Sequence, residues 1–179
     1  MPRYIAFLRA VNVGGRVVKM DELRGHFEDA GFSDVETFIA SGNVIFSSSA
    51  RDTAAAEQTI EKHLKTALGY DVATFIRTPV EVVAAAAHEP FAAKALSSGG
   101  AYVAAFLKAP LDAAGTKRLA ALATPADRFV SNAREVYWLS TLKQSETTLT
   151  LAKFERAVGG PATMRAMASL SRLVAKHCG

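Results

Sequence analysis

A pattern that runs once and then restarts constrains this chain more than any other feature. YIAFLRA at residues 4–10 returns as YVAAFLKA at 102–109, with one added alanine. FIASGNVIF at 38–46 returns as FVSNAREVYWL at 129–139, each reading as strand, turn, strand. The elements between the echoes are regular. Met20, Leu23, Phe27 and Ala30 recur at spacings of 3, 4 and 3, one face of a helix over 20–30, with Asp21 and Glu22 in its first turn and Gly31 at its end. Strands are predicted at 35–40 and 43–48 about a tight Ser41-Gly42 turn, then a helix over 53–68 stopped by Gly69, then a strand over 72–78. The order is βαββαβ. Thr78-Pro79 opens a short alanine-rich helix to about His88, and 89–100, ending in SSGG, reads as a linker.

After the linker come a strand at 102–109, a helix at 112–122, the second hairpin and a helix at 149–158 closed by Gly159-Gly160. Residues 163–176 read as a last helix, with Met164, Met167, Leu170 and Val174 on its buried side. The predicted class is therefore α+β, two ferredoxin-like halves in tandem. The second half is incomplete and closed by C-terminal helices. The boundaries are 1–78 for the first half, 79–100 for helix and linker, and 101–179 for the second half.

Composition sets outer limits. Half of the 179 residues are hydrophobic and 21% are charged, which suits a globular protein and not a disordered one. No apolar run reaches the roughly 18 residues of a membrane span, so no membrane partner is expected. The lone Cys178 can make no internal disulfide, and MPRYIAFLRA lacks a secretion signal, so the expected location is the cytoplasm. Charge is lopsided: residues 1–90 carry 9 basic and 12 acidic side chains, residues 91–179 carry 12 and 5. Residues 1–20 hold Arg3, Arg9, Arg16 and Lys19 and no acid, and 153–179 hold five cations against Glu155. Basic surface invites phosphate, nucleotide or nucleic acid.

A sheet of order 4-1-3-2 brings three loops to one edge: 12–19, 40–43 and 68–71. Arg9, Asn12, Gly14, Gly15, Arg16, Lys19, Ser41, Gly42 and Asn43 then share a neighbourhood. Adjacent glycines let backbone amides approach an anion, Arg16 and Lys19 add charge, and the asparagines and Ser41 add hydrogen-bonding side chains. The plainer reading is turn chemistry alone, Gly-Gly for a sharp strand-to-helix turn and Ser-Gly-Asn for a hairpin.

Known catalytic patterns fail. GGRVVKM has no Ser or Thr after Lys19, as a phosphate loop requires, and there is no GxGxxG, GxSxG or HExxH. Ser140 and Lys143 match SxxK, but the serine leaves a strand instead of opening a helix. His26, His63, His88 and His177 are far apart in sequence, so no metal or other cofactor is implied, and His177-Cys178 sits at an expectedly frayed end. NVIFSS offers only Phe46 of the aromatics an RNA-recognition strand needs.

YIAFLRAVNVGG, the MDELRGHFEDAGF helix, TFIASGNVIF and the closing TMRAMASLSRL resemble the bacterial family of domain of unknown function 1697. The resemblance implies two ferredoxin-like halves and brings no activity. It also points to a closing Thr-x-Arg-Asn-Trp-x-Thr pattern, of which Thr163 and Arg165 remain, Ser169 stands for Thr, and Ala166 and Met167 replace Asn and Trp. Arg165, one position past Met164 and so at the border of the last helix's buried stripe, joins the candidate site, directed at the first half, and the resemblance independently points to it. The leading expectation is a binding module for a phosphorylated or nucleic-acid ligand. The alternatives are an enzyme on a small polar substrate in a cleft between the halves, for which no base or nucleophile qualifies, and a structural or partner-binding protein.

Overall fold

The computed structural model describes residues 1–97 and 99–179 of the chain. They form a mixed α+β protein with two four-stranded antiparallel sheets and, among the described residues, seven helices. The chain divides into two compact units, Met1–Ala84 with Leu173–Gly179, and Ala85–Arg172.

In the first unit, β1 (Arg3–Leu8), α1 (Met20–Asp29), β2 (Ser33–Phe38), β3 (Asn43–Ser47), α2 (Thr53–Leu68) and β4 (Thr74–Arg77) follow the order read from sequence. The sheet order is β2-β3-β1-β4, with Tyr4 opposite Phe46 and Ile5 opposite Arg77. Local chemistry sets the helix ends. The Asp52 carboxylate accepts the Ala54 and Ala55 amides at the start of α2, and Gly69, in the left-handed region at φ 81°, ends it. Both helices lay their apolar rows on one sheet face, where Leu23, Phe27, Ile60 and Leu64 meet Tyr4, Ala6, Val44 and Phe46.

Helix α3 (Pro79–Ala87) follows, opened by a reciprocal cap in which the Thr78 hydroxyl accepts the Glu81 amide and the Glu81 carboxylate accepts the Thr78 amide. The stretch expected to be plain linker contains one helical turn, α4 (Ala93–Leu96), and its Ser98 lies outside the described residues.

The second unit holds β5 (Tyr102–Leu107), α5 (Ala113–Ala121), β6 (Asp127–Asn132), β7 (Glu135–Ser140), α6 (Leu151–Val158) and β8 (Ala162–Ala166), in sheet order β6-β7-β5-β8. Its core gathers Ala105, Leu107, Leu119, Val136, Phe154 and Ala162. The expectation of an incomplete second half closed by helices is thereby corrected. Residues 162–166 are a fourth strand paired with β5, Thr163 opposite Phe106 and Arg165 opposite Ala104. The last helix, α7 (Met167–His177), starts four residues later than predicted, and its buried row is Met167, Leu170 and Leu173, not Met164 and Val174. The five residues of β8 carry no strong local strand signal. The open edge of β5 supplies the hydrogen bonds that decide their conformation. His177 is also not frayed: it is buried, its ring edge-on to Phe38 with centroids 5.6 Å apart. No described helix is long and apolar enough to cross a membrane.

Candidate functional site

The loop after β1 starts anchored from two sides. The Leu8 amide donates to the Gly42 carbonyl at 2.8 Å, and the Arg9 amide donates to the Ala73 carbonyl at 3.0 Å. Ala10 then turns the chain at φ 56°. Val11 and Val18 are buried, so residues 12–17 arch outward between two apolar anchors. The Asn12 side chain closes the arch. Its Nδ2 donates to the Ala40 carbonyl at 2.7 Å and its Oδ1 accepts the Val18 amide at 2.7 Å. One amide thus ties the glycine loop to itself and to the hairpin loop.

The crest of the arch is Gly14-Gly15, with φ of 64° and 82° and open space where a Cβ would stand. Both are exposed, as is Arg16, whose guanidinium lies 4.1 Å from the Tyr70 ring centroid, just past the end of α2. A cation over an aromatic face is held by about 0.5–1 kcal/mol at an exposed site. Among the described residues Arg16 has no carboxylate partner. The three loops therefore converge as the sheet order predicted: 12–19 meets 40–43 through Asn12, and 68–71 through Arg16 and Tyr70.

The hairpin loop is built inward. Asn43 is only 2% exposed, and its Nδ2 donates to the Phe38 carbonyl and to Ser41 Oγ, both at 2.8 Å. Gly42 sits at φ 84°, and a Cβ there would fall 2.7 Å from Val11 Cγ2. Lys19 occupies the N-cap of α1, but the Glu22 carboxylate takes the Lys19 amide at 3.2 Å, and Asp21 stands in the same turn. These carboxylates oppose an anion at the α1 N-terminus. The exposed cation of this edge is Arg16, at the Gly14–Arg16 crest.

Arg165 belongs to the second unit and lies on β8, not on the final helix. It is 7% exposed. Its Nη1 donates to Thr163 Oγ1 at 2.8 Å and to the Met164 carbonyl at 2.9 Å. Burial pushes its pKa down to about 10, so it remains cationic at neutral pH. A second buried arginine escaped the sequence reading. Arg77, 1% exposed on β4, donates from Nη1 to the Ile76 carbonyl at 3.0 Å. Arg77 faces Ile5, two residues before Phe7, and Arg165 faces Ala104, two residues before Phe106. The two guanidiniums hold equivalent register positions in the two sheets. The available signal was strand alternation, which puts Arg77 on the same face as Phe75.

The structure also pairs two histidines that the sequence holds 37 positions apart. His26 of α1 and His63 of α2 have ring centroids 5.8 Å apart, with Asp29 beside them.

The chain is similar in fold to a conserved bacterial protein from Streptococcus pneumoniae whose structure is solved, with a TM-score of 0.74 and 20% identity, covering 98% of this chain and 97% of that one. No curated protein matches it in sequence. The profile described as "Protein of unknown function (DUF1697)" matches residues 1–137, which takes in the glycine loop, the Ser-Gly-Asn hairpin, Arg77 and the second unit as far as the start of β7, and leaves β8 with Arg165 outside. The chain belongs to the DUF1697 family.

Proposed function

We propose that the protein is a binding module for a small phosphorylated ligand, taken up at the Gly14–Arg16 crest of the first unit. The observation that carries this reading is Arg16: an exposed guanidinium braced on Tyr70, beside two left-handed glycines and without a carboxylate partner among the described residues. Successive amides next to a fixed cation suit a phosphoryl group's several acceptor oxygens. Asp71, which follows Tyr70 in sequence, is paired with Lys65 at 3.1 Å. The frame we infer is a duplicated ferredoxin-like plait, supported by the matching strand orders and by the equivalent registers of Arg77 and Arg165. A reduced, cytoplasmic setting fits the single cysteine.

A second reading has specific support. The amides of Asn12 and Asn43 are consumed by backbone and Ser41 partners, as they are in loops that only hold shape. Titration of inorganic pyrophosphate, followed by backbone amide resonances at low salt, separates the two. Binding moves the Gly14, Gly15 and Arg16 amides saturably, and Arg16→Ala weakens it roughly tenfold, the worth of one charge-assisted hydrogen bond. Absence of saturable shifts up to about 10 mM, beyond the weakest affinity worth calling a site, leaves the scaffold reading in place. A single-stranded RNA oligonucleotide provides the polyanion arm, where affinity falls by about 0.7 log unit per log salt for each phosphate neutralised.

A further inference from the structure

We propose that His26, Asp29 and His63 form a surface site for a divalent transition-metal ion of the zinc class, which clamps α1 to α2. His26 and Asp29 are three residues apart on α1 and so share one helix face. His63 reaches the same spot from α2. One ligand atom from each, an imidazole nitrogen or a carboxylate oxygen, lies within 4.8 Å of the other two. Around tetrahedral zinc, with bonds of about 2.0–2.2 Å, such atoms stand roughly 3.4 Å apart. The remaining distance is covered by side-chain rotation, since both imidazoles are half-buried and Asp29 is exposed.

The backbones that carry them do not need to move. Leu23 and Phe27 pin α1 to the sheet, Ile60 and Leu64 pin α2, and all four are at most 1% exposed. None of the three ligand side chains has a hydrogen bond or ion pair to another group among the described residues, so no existing bond has to be broken. Two neutral nitrogens and one carboxylate suit zinc, cobalt, nickel or copper, and offer too few oxygens for calcium or magnesium. A fourth position faces solvent for water. Lys62, beside His63, is exposed on a flexible stem and can swing its charge away.

The test is titration of the untagged full chain with Zn2+ by calorimetry and with Co2+ by visible absorption. The proposal expects one ion per chain, a cobalt spectrum without a thiolate charge-transfer band, and weaker binding in mild acid, because ligating imidazoles must shed their protons. Zinc at about 100 times Kd should raise Tm by roughly 5–10 °C. His63→Ala and the milder His26→Gln should each cost at least tenfold in affinity while leaving the metal-free Tm near that of the parent. Cys178→Ser should change nothing. Zinc binding that survives both histidine variants, disappears in Cys178→Ser, or is absent from the parent overturns the proposal.

Discussion

Gly42→Ala is a sharp probe of how the loop edge is built. Gly42 lies at φ 84°, a conformation that costs an alanine roughly 1–2 kcal/mol. Its new methyl would stand 2.7 Å from Val11 Cγ2 and 3.2 Å from Leu8 Cβ. Val11 is 1% exposed and β-branched, so it has little room or rotamer freedom to yield. Overpacking of this kind adds about 1–3 kcal/mol. The Gly42 carbonyl must also keep the Leu8 amide at 2.8 Å, which limits backbone escape. The sum is roughly 2–5 kcal/mol lost. Gly14→Ala and Gly15→Ala meet the same backbone cost but no neighbour within 4 Å, so each should lose only about 1–2 kcal/mol. Urea unfolding of the three variants, read by far-UV circular dichroism, makes the comparison. A Gly42→Ala variant within about 1 kcal/mol of the parent, or a Gly14→Ala variant as damaged as Gly42→Ala, would refute the steric account of this edge.

Two further outcomes follow from buried polar groups. Asp127→Ala removes the acceptor for Trp138 Nε1 at 2.9 Å and for the Thr124 hydroxyl at 2.7 Å, and should cost about 2–4 kcal/mol, read by the fluorescence of the chain's single tryptophan. Burial alone would raise the Asp127 pKa, but hydrogen bonds from Thr124, Trp138 and Ser140 outweigh it and hold it below the usual carboxylate value, so this contribution should persist at neutral pH and fade only as pH falls through that lowered value. His177 works at higher pH. Burial lowers its pKa, Lys176 and Arg3 lower it further and Glu36 pulls it back up, so the unfolded chain takes the proton first and stability should decline as pH drops below 6.5. His177→Leu should flatten stability measured between about pH 5 and 6.5, and an unchanged slope would remove His177 as its source.

Several parts of this protein were legible from residues alone because the signals act within a few positions. Helix α2 was read to its end residues from its apolar row and the stop at Gly69, which the structure finds in the left-handed conformation. The first βαββαβ run, with the loop edge it implies, followed from period and turn chemistry. Tertiary structure decided the rest. Residues 162–166 became a strand because β5 offered an unpaired edge, and that moved Arg165 from the start of the last helix to a buried sheet position opposite Ala104. Arg77 lies in a strand that the sequence does reveal, but only the folded chain shows it 1% exposed. Asn12 and Asn43 looked ready for a ligand, and only the packed loops showed their amides already engaged. His26 and His63 meet because two helices lie side by side on one sheet. Caps, turns and hydrophobic period are written in neighbouring residues, whereas the partner of a strand edge, a buried guanidinium or an imidazole comes from distant sequence, and only the folded chain brings it within reach.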